Sequence, residues 1–138
     1  MNALTLENAE QVLHEAMPGC VRALSIAVTA LGDGAASLTM PASEAACREG
    51  GIFAGQAIAA LADSAMCFAL WRDGRGRRPV ATVDLHVTYL RGLGNESLIA
   101  HAEVVRAGRT LSFAKVQIVG AGSGQLAATA IGTFAWPA

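Results

Sequence analysis

Apolar residues along this chain recur with two different periods, and the period changes where glycines cluster. Over residues 53–72, Phe53, Ala57, Leu61, Ala65 and Phe68 return every three or four positions, which predicts a long helix. Thr5-Leu6-Glu7-Asn8 opens a shorter amphipathic helix, with Thr5 as its N-cap, that ends near Met17-Pro18-Gly19. Residues 21–31 and 35–40 read as two strands around the turn Gly32-Asp33-Gly34. Four more strands are predicted over residues 80–90, 98–107, 110–119 and 125–135. Arg91-Gly92-Leu93-Gly94-Asn95, Ala107-Gly108-Arg109 and Gly120-Ala121-Gly122-Ser123-Gly124 separate them as turns short enough to make neighbours antiparallel. In the third strand Asp84, His86 and Thr88 alternate with Val83, Leu85, Val87 and Tyr89, so its outer face is mixed.

This order, helix–β–β–long helix–β–β–β–β, predicts an α+β domain over residues 1–138, with an N-terminal helical segment at 1–19. One long central helix is wrapped by a curled antiparallel sheet of about six strands. At 138 residues the chain is long enough to bury its own core. Its apolar fraction of 53% and mean hydropathy of +0.41 are high for a soluble domain, which predicts a homo-oligomer, a dimer or a dimer of dimers. The long helix is apolar enough to suggest a membrane span, but Asp63 lies near its centre, where it would cost roughly 2.5–3.5 kcal/mol. A buried helix and no membrane are therefore expected. Net charge of −1 offers no electrostatic case for nucleic acid. Cys20, Cys47 and Cys67 are odd in number and lack CxxC spacing, which predicts reduced thiols, a cytoplasmic location and no metal site.

Candidate chemistry concentrates in residues 48–66. Asp63 sits among Ala59, Ala60, Leu61, Ala62, Ala65 and Met66, where a carboxylate is costly unless paired or used, and its pKa is expected to be raised. A glycine-rich helix start offers free N–H groups to an anion. Gly55 and Asp63 are eight residues apart, roughly 12 Å along one helix, so both cannot touch one reacting carbonyl. If both act, they act from two subunits with antiparallel helices. Gln56 reads equally as a hydrogen-bonding partner for a ligand or as a residue that secures the loop. Arginines at 72, 75, 77 and 78 form the one basic cluster, and Lys115 is the single lysine. His14, His86 and His101 lack ligand spacing. There is no GxSxG elbow and no P-loop, and the glycines at 120–124 lie between strands.

Three patches, in this order and spacing, resemble the hotdog fold: Gly50-Gly51-Ile52-Phe53-Ala54-Gly55-Gln56 with Leu61-Ala62-Asp63; Ala81-Thr82-Val83-Asp84-Leu85-His86-Val87-Thr88-Tyr89; and Arg106-Ala107-Gly108-Arg109-Thr110-Leu111-Ser112-Phe113. Over roughly residues 20–136 the chain resembles the thioesterase superfamily that includes phenylacetate-degradation-type and 4-hydroxybenzoyl-CoA thioesterases. The resemblance implies an acyl-CoA thioesterase with composite sites at a dimer interface and no cofactor, the CoA moiety being part of the substrate. It implies Asp63 as general base or nucleophile, the Gly55 N–H as oxyanion donor, and Gln56 and Thr82 in support. It also implies CoA phosphates near an arginine among Arg75, Arg77, Arg78, Arg91 and Arg109. Ala54 stands where the family's common pattern has histidine, and Arg48 where an asparagine is frequent. Other readings are a non-catalytic acyl-CoA or aromatic-ligand binder and an enoyl-CoA hydratase-like enzyme.

Overall fold

The computed structural model describes residues 3–137; residues 1, 2 and 138 of the expected domain lie outside the described residues. Two short helices, α1 (Ala9–Ala16) and α2 (Gly19–Arg22), precede β1 (Ala27–Gly32) and β2 (Ala35–Met40). The long helix α3 (Gly55–Leu70) follows, then β3 (Ala81–Tyr89), β4 (Leu98–Ala107), β5 (Leu111–Gly120) and β6 (Leu126–Ala135). The six strands form one antiparallel sheet in the order β1-β2-β4-β5-β6-β3, wrapped around α3. This is the hotdog fold, in the α+β class.

The burial pattern explains the wrapping. Ile58, Leu61, Ala62, Ala65, Met66, Phe68, Ala69 and Leu70 of α3 are all buried. They meet Leu38 and Met40 of β2, Leu98 and Ala100 of β4, Val116 and Ile118 of β5 and Phe134 of β6 in one core. Burying each of the larger side chains is worth roughly 1.5–3 kcal/mol. The alanines let the sheet approach the helix axis closely. Along β5 the buried positions alternate with Leu111, Lys115 and Gln117, which face away from the helix. Among the described residues no helix is long and apolar enough to cross a membrane.

The structure departs from the sequence pattern at three places. Residues 19–22 form a helical turn, with the Val21 and Arg22 N–H groups donating to the Pro18 carbonyl, and Ser25 takes a φ of 58°; β1 starts only at Ala27. Local hydrogen bonding after Pro18 wins there over the apolar run. At the first helix, Thr5 Oγ1 accepts from the Asn8 N–H while Asn8 Oδ1 accepts from the Thr5 N–H, a reciprocal cap on the turn ahead of α1. The third departure matters most. The 91–95 segment is not a hairpin turn, because β3 pairs with β6 at the far edge and β4 lies three strands away. The chain crosses roughly 14 Å at the usual strand spacing. It passes the start of α3, where Ile52 bridges Gly94 and the Phe53 N–H donates to the Leu93 carbonyl.

Candidate active site

The start of α3 is set by the loop before it. Gly50 and Gly51 have φ of 91° and 81°, a region that favours glycine. They let the Gly51 N–H donate to the Arg48 carbonyl and the Arg48 N–H to the Ile52 carbonyl, at 3.0 and 2.9 Å. The Ala54 N–H then donates to the Ala46 carbonyl at 2.9 Å, and helical geometry begins at Gly55. Ala54, the N-cap, has no side chain able to close the helix end. Among the described residues no carbonyl takes the Gly55 N–H. The first turn therefore presents backbone donors with the positive end of the helix dipole behind them.

Asp63 lies two turns further along the same helix and is half-buried. Thr82 Oγ1 donates to Asp63 Oδ1 at 2.8 Å. Burial raises the Asp63 pKa above the ordinary value; the Thr82 hydrogen bond pulls it back only in part. Thr82 reaches Asp63 through a β-bulge. The register between β3 and β6 shifts between Thr82 and Asp84, which leaves Val83 59% exposed and turns Thr82 to the helix side. Strict alternation puts Val83 inward and Thr82 outward, so the expected pattern of β3 fails at this point. Cys67 follows Asp63 by one helical turn. Burial, then the Asp63 charge, push its thiol up, so it stays protonated and is no nucleophile.

Gln56 is exposed in the first turn. At the other end of β3, the Tyr89 hydroxyl donates to the Gly55 carbonyl at 2.7 Å. Tyr89, the chain's single tyrosine, ends the second patch of the resemblance, but its sequence position alone assigns it no role at the helix start. Its reach to α3 depends on the β3 crossover, which the sequence pattern did not predict.

The structure thus brings Asp63 and Thr82 together, and Gly55, Gln56 and Tyr89 together. The two groups stay roughly 12 Å apart within one chain.

The basic cluster has other work. Arg78, expected among the phosphate contacts, is engaged by Asp73 Oδ2 at 3.1 Å and lies 3.3 Å from the centroid of the Trp136 ring. Arg75 pairs with Asp73 at 2.7 Å and donates to the Gly108 carbonyl at 2.8 Å. Arg77 faces Glu15 and Trp71. Arg72 donates to the carbonyls of Gly32 and Leu4, tying down the end of α3. Burial opposes the Asp73 charge, but hydrogen bonds from Arg78 and Arg75 outweigh it and hold its pKa below the usual value. Arg91 and Arg109 are exposed and, among the described residues, make no side-chain hydrogen bond or ion pair. Arg91 lies at the Gly55 end of α3, because its N–H shares the Ala127 carbonyl with that of Leu90, next to Tyr89. Arg109 follows Gly108 at the Arg75 end. Among the described residues no three His, Cys, Asp or Glu side chains gather to hold a metal ion.

Fold and site define a hotdog protein with a desolvated helix carboxylate and an uncapped helix start. Residues 50–127 match the family model of the thioesterase superfamily, and the chain belongs to that family. The zebrafish protein thioesterase superfamily member 2 is similar over 98% of this chain and 100% of its own, at 29% identity and a TM-score of 0.87. A mutant of the phenylacetic acid degradation protein PaaI from Thermus thermophilus is 27% identical, covering 85% of this chain and 97% of its own, at a TM-score of 0.74. A thioesterase from Haemophilus influenzae shares the fold at 22% identity and a TM-score of 0.85, over 97% of this chain and 91% of its own. Membership supports a thioesterase-type, hydrolytic function.

Proposed function

We propose that this protein hydrolyses an acyl- or aryl-CoA thioester at composite sites in a two-fold dimer. The observation that carries the reading is the Asp63–Thr82 pair: a half-buried carboxylate with a raised pKa and one side-chain donor, on the helix of a thioesterase-superfamily fold. Such a carboxylate is more basic than a free one and suits attack on a thioester or activation of water. The Gly55 N–H is the oxyanion donor, worth roughly 2.7–4 kcal/mol of barrier. Because that N–H lies some 12 Å from Asp63 in one chain, the donor comes from the second copy, with its helix antiparallel.

The β3 edge supports that dimer. It is the sheet's exposed edge on the Asp63 side, with Val83 and Tyr89 59% and 52% exposed. Pairing two β3 edges joins the sheets, sets the helices antiparallel and covers those residues. Thr82 orients Asp63, and Gln56 meets the substrate beside the helix start. Arg91 and Arg109, without a side-chain partner among the described residues, are the arginines available to CoA phosphates. Unpaired Cys20, Cys47 and Cys67 support a reducing, cytoplasmic setting.

The test is thiol release from short, medium, long-chain and aryl acyl-CoAs by wild type and Asp63→Asn. Turnover abolished in a folded, dimeric or tetrameric Asp63→Asn supports the proposal and gives the acyl class. Tight acyl-CoA binding with no turnover by wild type would replace it with a binding role. Activity surviving Asp63→Asn would place the chemistry elsewhere.

A further inference from the structure

Strand β3 touches both halves of the candidate site. At its start Thr82 holds Asp63; at its end the Tyr89 hydroxyl donates to the Gly55 carbonyl at 2.7 Å. The Tyr89 ring also lies against the same residue: a Cβ added at Gly55 would stand 3.4 to 3.6 Å from the ring and hydroxyl. The Gly55 carbonyl already has a helical acceptor role, and its second lone pair takes the phenol. That carbonyl and the Gln56 N–H belong to one peptide group. A donor on the oxygen polarises the group and makes the N–H a stronger donor. The Gln56 N–H is the next free donor after that of Gly55 in the uncapped first turn.

We infer that Tyr89 is a positioning residue for the oxyanion site: its hydroxyl clamps the first turn of α3 to the edge strand and strengthens the Gln56 N–H as a second donor beside that of Gly55. The inference rests on the thioesterase reading of Gly55 and Asp63. It makes one strand, at the edge proposed to pair with the second copy, the support of both carboxylate and oxyanion donor.

The experiment uses Tyr89→Phe, which keeps the ring at this exposed position and removes only the hydroxyl. Two quantities are read: steady-state kinetics on the acyl-CoA that wild type turns over fastest, and the amide proton resonances of Gly55 and Gln56 by NMR. The expected result is an upfield shift confined to the first turn of α3, with Gln56 moving most. A fall in kcat of about five-fold at unchanged KM should accompany it, the scale of one neutral hydrogen bond. An unmoved Gln56 resonance, or wild-type kcat in Tyr89→Phe while Asp63→Asn is inactive, overturns the role of Tyr89 alone. Absence of turnover by wild type, or turnover that survives Asp63→Asn, overturns the thioesterase reading and this inference with it.

Discussion

Gly55→Pro isolates the proposed oxyanion donor, because the backbone at this position suits proline. Gly55 is the first helical residue, where a missing N–H costs no intrahelical bond. Ala54 before it has φ −71° and ψ 145°, the extended conformation that a residue preceding proline adopts. No carbonyl among the described residues loses a donor. The substitution therefore deletes one N–H and adds a ring. Gly55→Ala is the control for the added bulk. Its Cβ meets the Tyr89 ring at 3.4 to 3.6 Å, ordinary contact, while the N–H stays. One oxyanion donor is worth about 2.7–4 kcal/mol, so kcat of Gly55→Pro should fall about 10²–10³-fold below that of Gly55→Ala. The assay is thiol release under saturating acyl-CoA, with melting temperature and oligomeric state measured on both variants. A Gly55→Pro enzyme that is folded, oligomeric and within about three-fold of Gly55→Ala would refute the oxyanion role, since that gap is under 1 kcal/mol.

Three further outcomes follow from the same structure. Removing the hydroxyl in Thr82→Val takes away the donor that lowers the Asp63 pKa, so the ionised base forms only at higher pH. With the pair half open to solvent, a charged hydrogen bond at the low end of its range, about 1.5 kcal/mol, moves the acid limb of kcat/KM up by about one pH unit. Thr82→Ser keeps the limb in place, and a Thr82→Val profile lying on the wild-type curve counts against the pairing. Asp63→Asn should gain thermal stability as it loses activity. A carboxyl whose folded pKa is raised contributes most below its unfolded pKa, about 3.9, and that contribution is lost as pH rises through the folded value. The melting temperature of Asp63→Asn therefore exceeds wild type at pH 7 and meets it below about pH 4, whereas equal values at pH 7 would mean that burial does not strain the charge. Asp73→Asn should cost about 1.5 kcal/mol, or about 5 °C in melting temperature, because the Asp73 side chain is 2% exposed and holds two partly exposed guanidiniums. Its contribution is present above about pH 4 and fades as acid protonates Asp73, so a loss that persists unchanged at low pH would exclude the ion pairs as its source.

The class of fold and half of the candidate site were legible along the chain for a local reason. The three-to-four residue recurrence from Phe53 to Phe68 and the period-two runs after residue 80 report burial directly. A lone aspartate among alanines and leucines stands out because its desolvation cost is visible in its neighbours. The glycines at 50 and 51 mark the turn into α3 for the same reason: their backbone conformation is a property of those residues alone.

What lay beyond the sequence is what depends on register and crossover. Residues 91–95 look like a hairpin turn, yet β3 leaves for the far edge because the sheet must close around the apolar helix on both sides. That crossing delivers Tyr89 to Gly55. Alternation along β3 points Thr82 away from the helix; one extra residue at Val83 turns it onto Asp63. The arginines at 75, 77 and 78 read as an open basic cluster; Asp73 pairs with two of them locally, and only folding brings Glu15 and Trp136 against them. The sequence by itself thus determined a half-buried carboxylate, an uncapped helix start and a wrapped sheet, since each follows from a few adjacent side chains. Tertiary structure alone decided which strand serves them, because a bulge and a three-strand crossover carry no local energetic signature.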